Sequence, residues 1–140
     1  MSKDTQHKIL AAFEEITFPE FDMNHVKAKI DTGAYSGAIH CTRIHEEQED
    51  GTGVLYFSPF DHPELIKKTT AYKKRMVRSS NGTTQQRFFI DTRIIIKGVE
   101  YPIHISLADR SEMRWPVLIG RRFLKTNQFL VDVRSHSHVS

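Results

Sequence analysis

Asp31, Thr32 and Gly33 sit where an acidic turn is costly. In the stretch VKAKIDTGAYSGAIH, residues 26–40, the flanking Ala28, Ile30, Ala34, Ala38 and Ile39 read as buried positions. A carboxylate between two buried segments must be hydrogen-bonded or must share its charge with a partner. His40, Cys41 and His45 are the other residues nearby with metal or nucleophile chemistry. A strand alternates faces, so His40 and Cys41 point opposite ways and do not share an ion readily. The chain has no His-Glu-x-x-His, no Cys-x-x-Cys and no Gly-x-x-x-x-Gly-Lys-Ser/Thr loop, so neither a metal nor a nucleotide cofactor is expected. The plain reading is a core or edge histidine beside a buried free cysteine.

The elements around this triplet read as short strands. KILAAFEEITFP is a strand or bent hairpin arm ending at Pro19, and HVKAKI is a strand with Val26, Ala28 and Ile30 on one face. SGAIHCTRIH restarts a strand after the glycine turn. EEQEDGTG reads as a solvated acidic loop, VLYFSPF as a β-rich run cut by Pro59 and Pro63, and HPELIKKT as one helical turn. KKRMVRSSNGTTQQRFFIDTRIII carries the clearest hairpin signal, with Asn81-Gly82 at its turn. VEYPIHISLA is a further strand. WPVLIGRRFLKTNQ passes from an apolar strand through Gly120 into a short helix, FLVDV is a last strand, and residues from about 134 read as a frayed tail. The expected class is all-β, a small barrel-like fold with one short helix near its C-terminal end.

The totals fit one soluble domain spanning residues 1–140. The chain has 140 residues, 39% hydrophobic and 26% charged, enough to hold a core without staples. Its single cysteine rules out an internal disulfide and suits a reducing compartment. No stretch approaches a membrane span and the first residues carry no apolar signal region, so the expected location is the cytoplasm, with no membrane partner. A formal charge of +3 permits an acidic partner. It lacks the strong basic bias of a nucleic-acid domain, and nucleic acid is not expected as a partner. Lys73, Lys74, Arg75, Arg78 and Arg87 in the hairpin, with Arg114, Arg121 and Arg122 after it, form either a solvated face or a cleft rim that attracts acidic peptide.

The residues also carry a resemblance. AKIDTGA, then RMVRSSNGTTQQRFF, then VLIGRRFL stand in the order found in retropepsin-like aspartic peptidases. There an apolar strand enters Asp-Thr-Gly-Ala, a flap hairpin follows, and an apolar-apolar-Gly-Arg segment opens a short helix. More narrowly, Lys27–His40, Arg75–Gly82 and Leu107–Leu124 are similar to KAKxDTGAxTSALH, RxVRSSNG and LxDRSxMxxPxLIGRRFL. Those patterns belong to a bacterial family called ATP-dependent zinc proteases, associated with a glutamate-ligating ATP-grasp enzyme.

The resemblance implies a closed barrel of the acid-protease type and a homodimer. A chain with one Asp-Thr-Gly must pair with a copy of itself to bring two Asp31 carboxylates to one water. It implies that Asp31, Thr32 and Gly33 are the catalytic triplet and that Ala34, Tyr35 and Ser36 complete the active loop. Arg78, Ser79, Ser80, Asn81 and Gly82 would form the flap, and Ile119, Gly120 and Arg121 would brace the loop from behind. Ala34 stands where pepsin-like enzymes carry Ser, which implies activity nearer neutral pH. Tyr35 stands where retropepsins carry the acidic partner of the Arg equivalent to Arg121, leaving Arg121 to face substrate or to find another acceptor such as Asp109. Gly37 replaces the family's usual Ser. The implied substrate is a peptide or protein, acidic or polyglutamate-tailed. Two other readings stay open: a non-catalytic peptide-binding module on the same fold, and a metal-dependent protease as the family name suggests.

Overall fold

Alternating apolar residues set most of the strands, and the pairing of those strands brings the Asp31 loop against the short helix. The computed structural model describes residues 8–78, 82–109 and 114–134. Ser79, Ser80 and Asn81 of the expected flap, and the tail from residue 135, lie outside the described residues. Eleven strands and one α-helix follow in chain order among the described residues. They are β1 (Lys8–Ala11), β2 (Phe13–Phe18), β3 (Met23–Ile30), β4 (Ala38–Glu49), β5 (Thr52–Pro59), β6 (Lys67–Thr69) and β7 (Tyr72–Arg78). Then come β8 (Thr84–Ile96), β9 (Val99–Ala108), β10 (Val117–Ile119), α1 (Arg121–Thr126) and β11 (Phe129–Asp132).

Six strands close on themselves in the order β10-β3-β2-β8-β9-β4, with β4 pairing back onto β10. This is the expected all-β class with its single short helix. Closure removes the unpaired edges of those six strands. Ile16, Phe18, Ala28, Ile39, Ile90, Ile94, Ile105, Val117 and Ile119 are buried within it. The hairpin β7–β8 extends beyond the ring, with Arg78 opposite Thr84. β1 leaves the ring at Ala12 and pairs in parallel with β11. Buried Glu14 accepts the Ala11 amide at 2.7 Å, which satisfies a donor freed at that bend.

Two sequence expectations need correction. The acidic stretch is not a loop: β4 runs through Glu49, and only Asp50-Gly51 turns, at φ 53° and 80°. The acids tolerate a strand because each finds a partner there. Glu46 accepts from Tyr72 and Lys74, Glu47 meets His45, and Glu49 accepts from the Tyr56 hydroxyl. After Pro63 there is a single turn, closed by the Leu65 amide on the His62 carbonyl at 2.9 Å, and then β6 instead of a helix. Pairing of Lys67–Thr69 with Leu55–Phe57 takes the chain into the sheet.

Candidate active site

β3 and β10 run side by side, with Ile30 opposite Ile119, so both strands end at the same place. The Asp31 amide donates to the Ile119 carbonyl at 2.8 Å. The chain then turns: the Ala34 amide reaches the Asp31 carbonyl at 3.2 Å, and the Gly33 amide donates to Asp31 Oδ1 at 3.0 Å. The carboxylate is thus oriented by its own loop and stays half-buried, between the buried Ile30 and the buried Gly37. Thr32, Gly33 and Tyr35 are exposed, while Ala34 and Ser36 are half-buried.

The loop also caps the helix. The first amides of a helix have no partner within it. Here the Arg121 amide donates to Ala34 O at 2.8 Å and the Arg122 amide to Tyr35 O at 3.0 Å. Gly120 is required by that contact, since a methyl group there would stand 2.6 Å from Tyr35 O. Gly37 meets the backbone of Leu118 in the same way, too closely for any side chain. Its carbonyl accepts from both the amide and the hydroxyl of Ser106, at 3.2 and 2.9 Å. Residues 31–37 and 119–122 therefore lock together through their main chains.

Arg121 does not pair with Asp109. Its guanidinium donates to the carbonyls of Gly33 at 3.2 Å and Thr32 at 3.4 Å and lies 5.5 Å from the centre of the Tyr35 ring. Tyr35 thus gives the cation an aromatic face where a carboxylate was the other option. Sequence patterns held no signal for this arrangement. Sequence reasoning also missed Ser106, whose two bonds to Gly37 have no local signature.

Arg78 and Gly82 flank the hairpin tip, and Gly82 has φ 90°. Alongside the half of β8 that follows the hairpin turn, a groove of about 200 Å³ is lined by Gln85, Gln86, Arg87 and Phe88 together with Ile44 and Asp109. Several of the cations expected to form a rim already have partners. Lys74 bonds Glu46 at 2.9 Å, Arg75 lies over Phe89, Arg114 lies over Trp115, and Arg121 holds the loop. Cys41 is fully buried, and burial pushes its thiol far above the ordinary range. His40 is buried and bonded to Asp61 at 3.0 Å. Among the described residues no group of three or more His, Cys, Asp or Glu is placed to hold a metal ion, and no helix is long and apolar enough to cross a membrane.

A probable alpha-L-glutamate ligase from Desulfotalea psychrophila is 31% identical over 139 residues, which is 94% of this chain and 29% of the relative. One from Shewanella pealeana is 27% identical over 129 residues, 89% of this chain and 28% of the relative. The chain thus spans under a third of the length of these curated relatives. A crystal structure of a Legionella pneumophila protein of unknown function shares the fold, with a TM-score of 0.66 at 20% identity over 96% of this chain and 100% of that one. The segment that contains the Asp31 loop, the hairpin and the bracing helix, residues 9–139, matches the model of the RimB-like family, described as retropepsin-like aspartic endopeptidase RimB, and the chain belongs to that family.

Proposed function

We propose that this chain is an aspartic peptidase that works as a homodimer, with one Asp31 from each copy at the shared site. The observation that carries this reading is the presentation of Asp31. A half-buried carboxylate is held by the Gly33 amide, in a loop fixed at both ends by main-chain bonds to residues 119–122. Such a fixed loop would cost little reorganisation during reaction. Two carboxylates in contact share one proton, as they do in aspartic proteases. The ionised Asp31 takes a proton from water as general base, and the hydroxide formed attacks the peptide carbonyl. The protonated Asp31 polarises that carbonyl and the pair later protonates the leaving nitrogen.

Acidic peptides are the substrate class we favour. The hairpin bears Lys73, Lys74, Arg75 and Arg78 on one strand, and the relatives that contain this segment are named glutamate ligases. A peptidase that trims glutamate-rich tails would oppose such a ligase. The same names support a second reading, in which the domain binds an acidic chain without cutting it. An acidic-tailed peptide library incubated with the parent and with Asp31→Asn, read by mass spectrometry, separates the two. Cleavage by the parent alone supports the peptidase. Binding by both with cleavage by neither would replace it with the binding module.

A further inference from the structure

A groove away from the Asp31 loop holds about 400 Å³, and none of residues 31–37 or 119–121 lines it. Its volume falls within the roughly 300–1,000 Å³ of small-molecule sites. It runs between the start of β3, His40 of β4, the turn after β5 and the segment before β10. His40 forms part of its wall, with its side chain 8% exposed, and His40 Nε2 lies 3.0 Å from Asp61 Oδ1. Asp61 is 91% exposed, so the buried imidazole fixes a carboxylate that faces outward. His40 Nδ1 is buried without a partner among the described residues. With no acceptor at Nδ1, the ring proton belongs on Nε2, donated to Asp61. The other ring nitrogen, Nδ1, keeps its lone pair but is buried with no hydroxyl, thiol or other polar partner beside it among the described residues, so no nucleophile stands where it could serve one. The pair positions a charge; it does not relay a proton.

Opposite charge lines the same groove. Lys27 Nζ and the Arg114 guanidinium lie 5.1 and 5.5 Å from the centre of one ring, that of Trp115. His25 and His62 at the mouth each meet a carboxylate of their own, Glu15 at 3.1 Å and Glu64 at 3.3 Å. Asp61 is held by the His40 ring, and Lys27 and Arg114 by the face of Trp115, contacts that leave their charges uncompensated, so the charged lining is one carboxylate and two cations. The complement of that set is one ammonium with two carboxylates. We propose that this groove is a second binding site, for the free amino end of an acidic amino acid or short acidic peptide. Its ammonium would meet Asp61 and its carboxylates Lys27 and Arg114. Such ends are what hydrolysis of an acidic peptide releases, so the biological sense rests on the peptidase reading, whereas the binding itself does not.

The test uses isotope-labelled Asp31→Asn protein, in which turnover cannot confuse binding. It is titrated with glutamate, with Glu-Glu and with N-acetyl-Glu-Glu, and backbone amide shifts are followed. Saturable shifts around His25 and Asp61 are expected with Glu-Glu. Acetylation should weaken binding about tenfold, the loss of one charge-assisted hydrogen bond. Asp61→Asn should abolish the preference for the free amine, and Arg114→Gln should weaken all three ligands. Both residues are exposed, so amide dispersion should be unchanged in these variants. Comparing glutamate with Glu-Glu tells a free amino acid from a peptide end. Absence of saturable shifts, shifts confined to the Asp31 loop, or indifference to Asp61→Asn would each overturn the site. Failure of the parent to cleave peptides would sink the peptidase reading and leave this binding result standing.

Discussion

At Gly37 the active loop and β10 touch main chain to main chain, and that contact decides what the position tolerates. A Cβ there would lie inside the contact distance of the Leu118 carbonyl and 3.2 Å from the Gly120 amide nitrogen. Neither neighbour is a flexible side chain. Gly37→Ser is therefore expected to cost about 1–3 kcal/mol of stability, measurable as a lower urea midpoint. An unchanged midpoint would mean that β10 gives way more easily than its pairing with both β3 and β4 suggests. Arg121 makes a different kind of contact. It is exposed, so its bonds to the Thr32 and Gly33 carbonyls add little to global stability. They do restrain the carboxylate's loop, and small misplacements of reacting groups are costly. Arg121→Gln should lower kcat about tenfold on a cleaved peptide while the thermal midpoint stays near the parent's. Much of this site was legible beforehand, because Asp-Thr-Gly and Gly-Arg are local patterns. The acceptors of Arg121 were not, because carbonyls carry no side-chain signature and the Tyr35 ring could as well have faced solvent.

The strand β7 is tied to β4 by one carboxylate. Glu46 accepts from the Tyr72 hydroxyl and from Lys74 Nζ, and Gly53 leaves room for the tyrosine. The Tyr72 hydrogen bond, then that of Lys74, holds the Glu46 carboxyl below its ordinary 4.5. A lowered value makes its stabilisation fully present above that ordinary value and lost as pH falls through the folded one. Urea unfolding of the parent and Glu46→Gln should therefore differ at pH 7 and converge towards pH 3. A constant difference across that range would exclude the carboxylate as the cause. The same bond pushes the Tyr72 hydroxyl up to about 12 from 10.0. Its contribution is present below 10 and fades as pH rises through the folded value. In ultraviolet titration two tyrosines should ionise late, Tyr56 bonded to Glu49 and Tyr72 bonded to Glu46, and Glu46→Gln should return only Tyr72 towards 10. These pairs also explain why β4 escaped a purely local reading. A run of four acids around one glutamine signals a loop, yet tyrosine and lysine partners on β5 and β7, with His45 of β4 itself, make it a strand. Val26, Ala28 and Ile30 were legible because their alternation needs no partner to be seen. Closure of the ring was legible only as a class, since the β10–β4 pairing joins residues some eighty positions apart.

For the whole molecule, the proposed mechanism makes the number of functional carboxylates per site the decisive quantity. One chain offers a single Asp-Thr-Gly, at Asp31. Activity must then belong to a pair, and a pair can be poisoned by one defective member. If Asp31→Asn protein is mixed with parent and allowed to exchange, homodimers of the parent form in proportion to the square of its fraction. An equal mixture at constant total protein should retain about a quarter of the parent's activity, where independent active monomers would retain about a half. The substitution replaces one oxygen by nitrogen on a half-buried side chain in the loop, so the variant should still fold and compete for pairing. The same reasoning predicts specific activity that falls on dilution, as dimers dissociate. Linear loss in the mixing series, together with dilution-independent specific activity, would show that each chain works alone. The second carboxylate would then have to be sought within the chain itself.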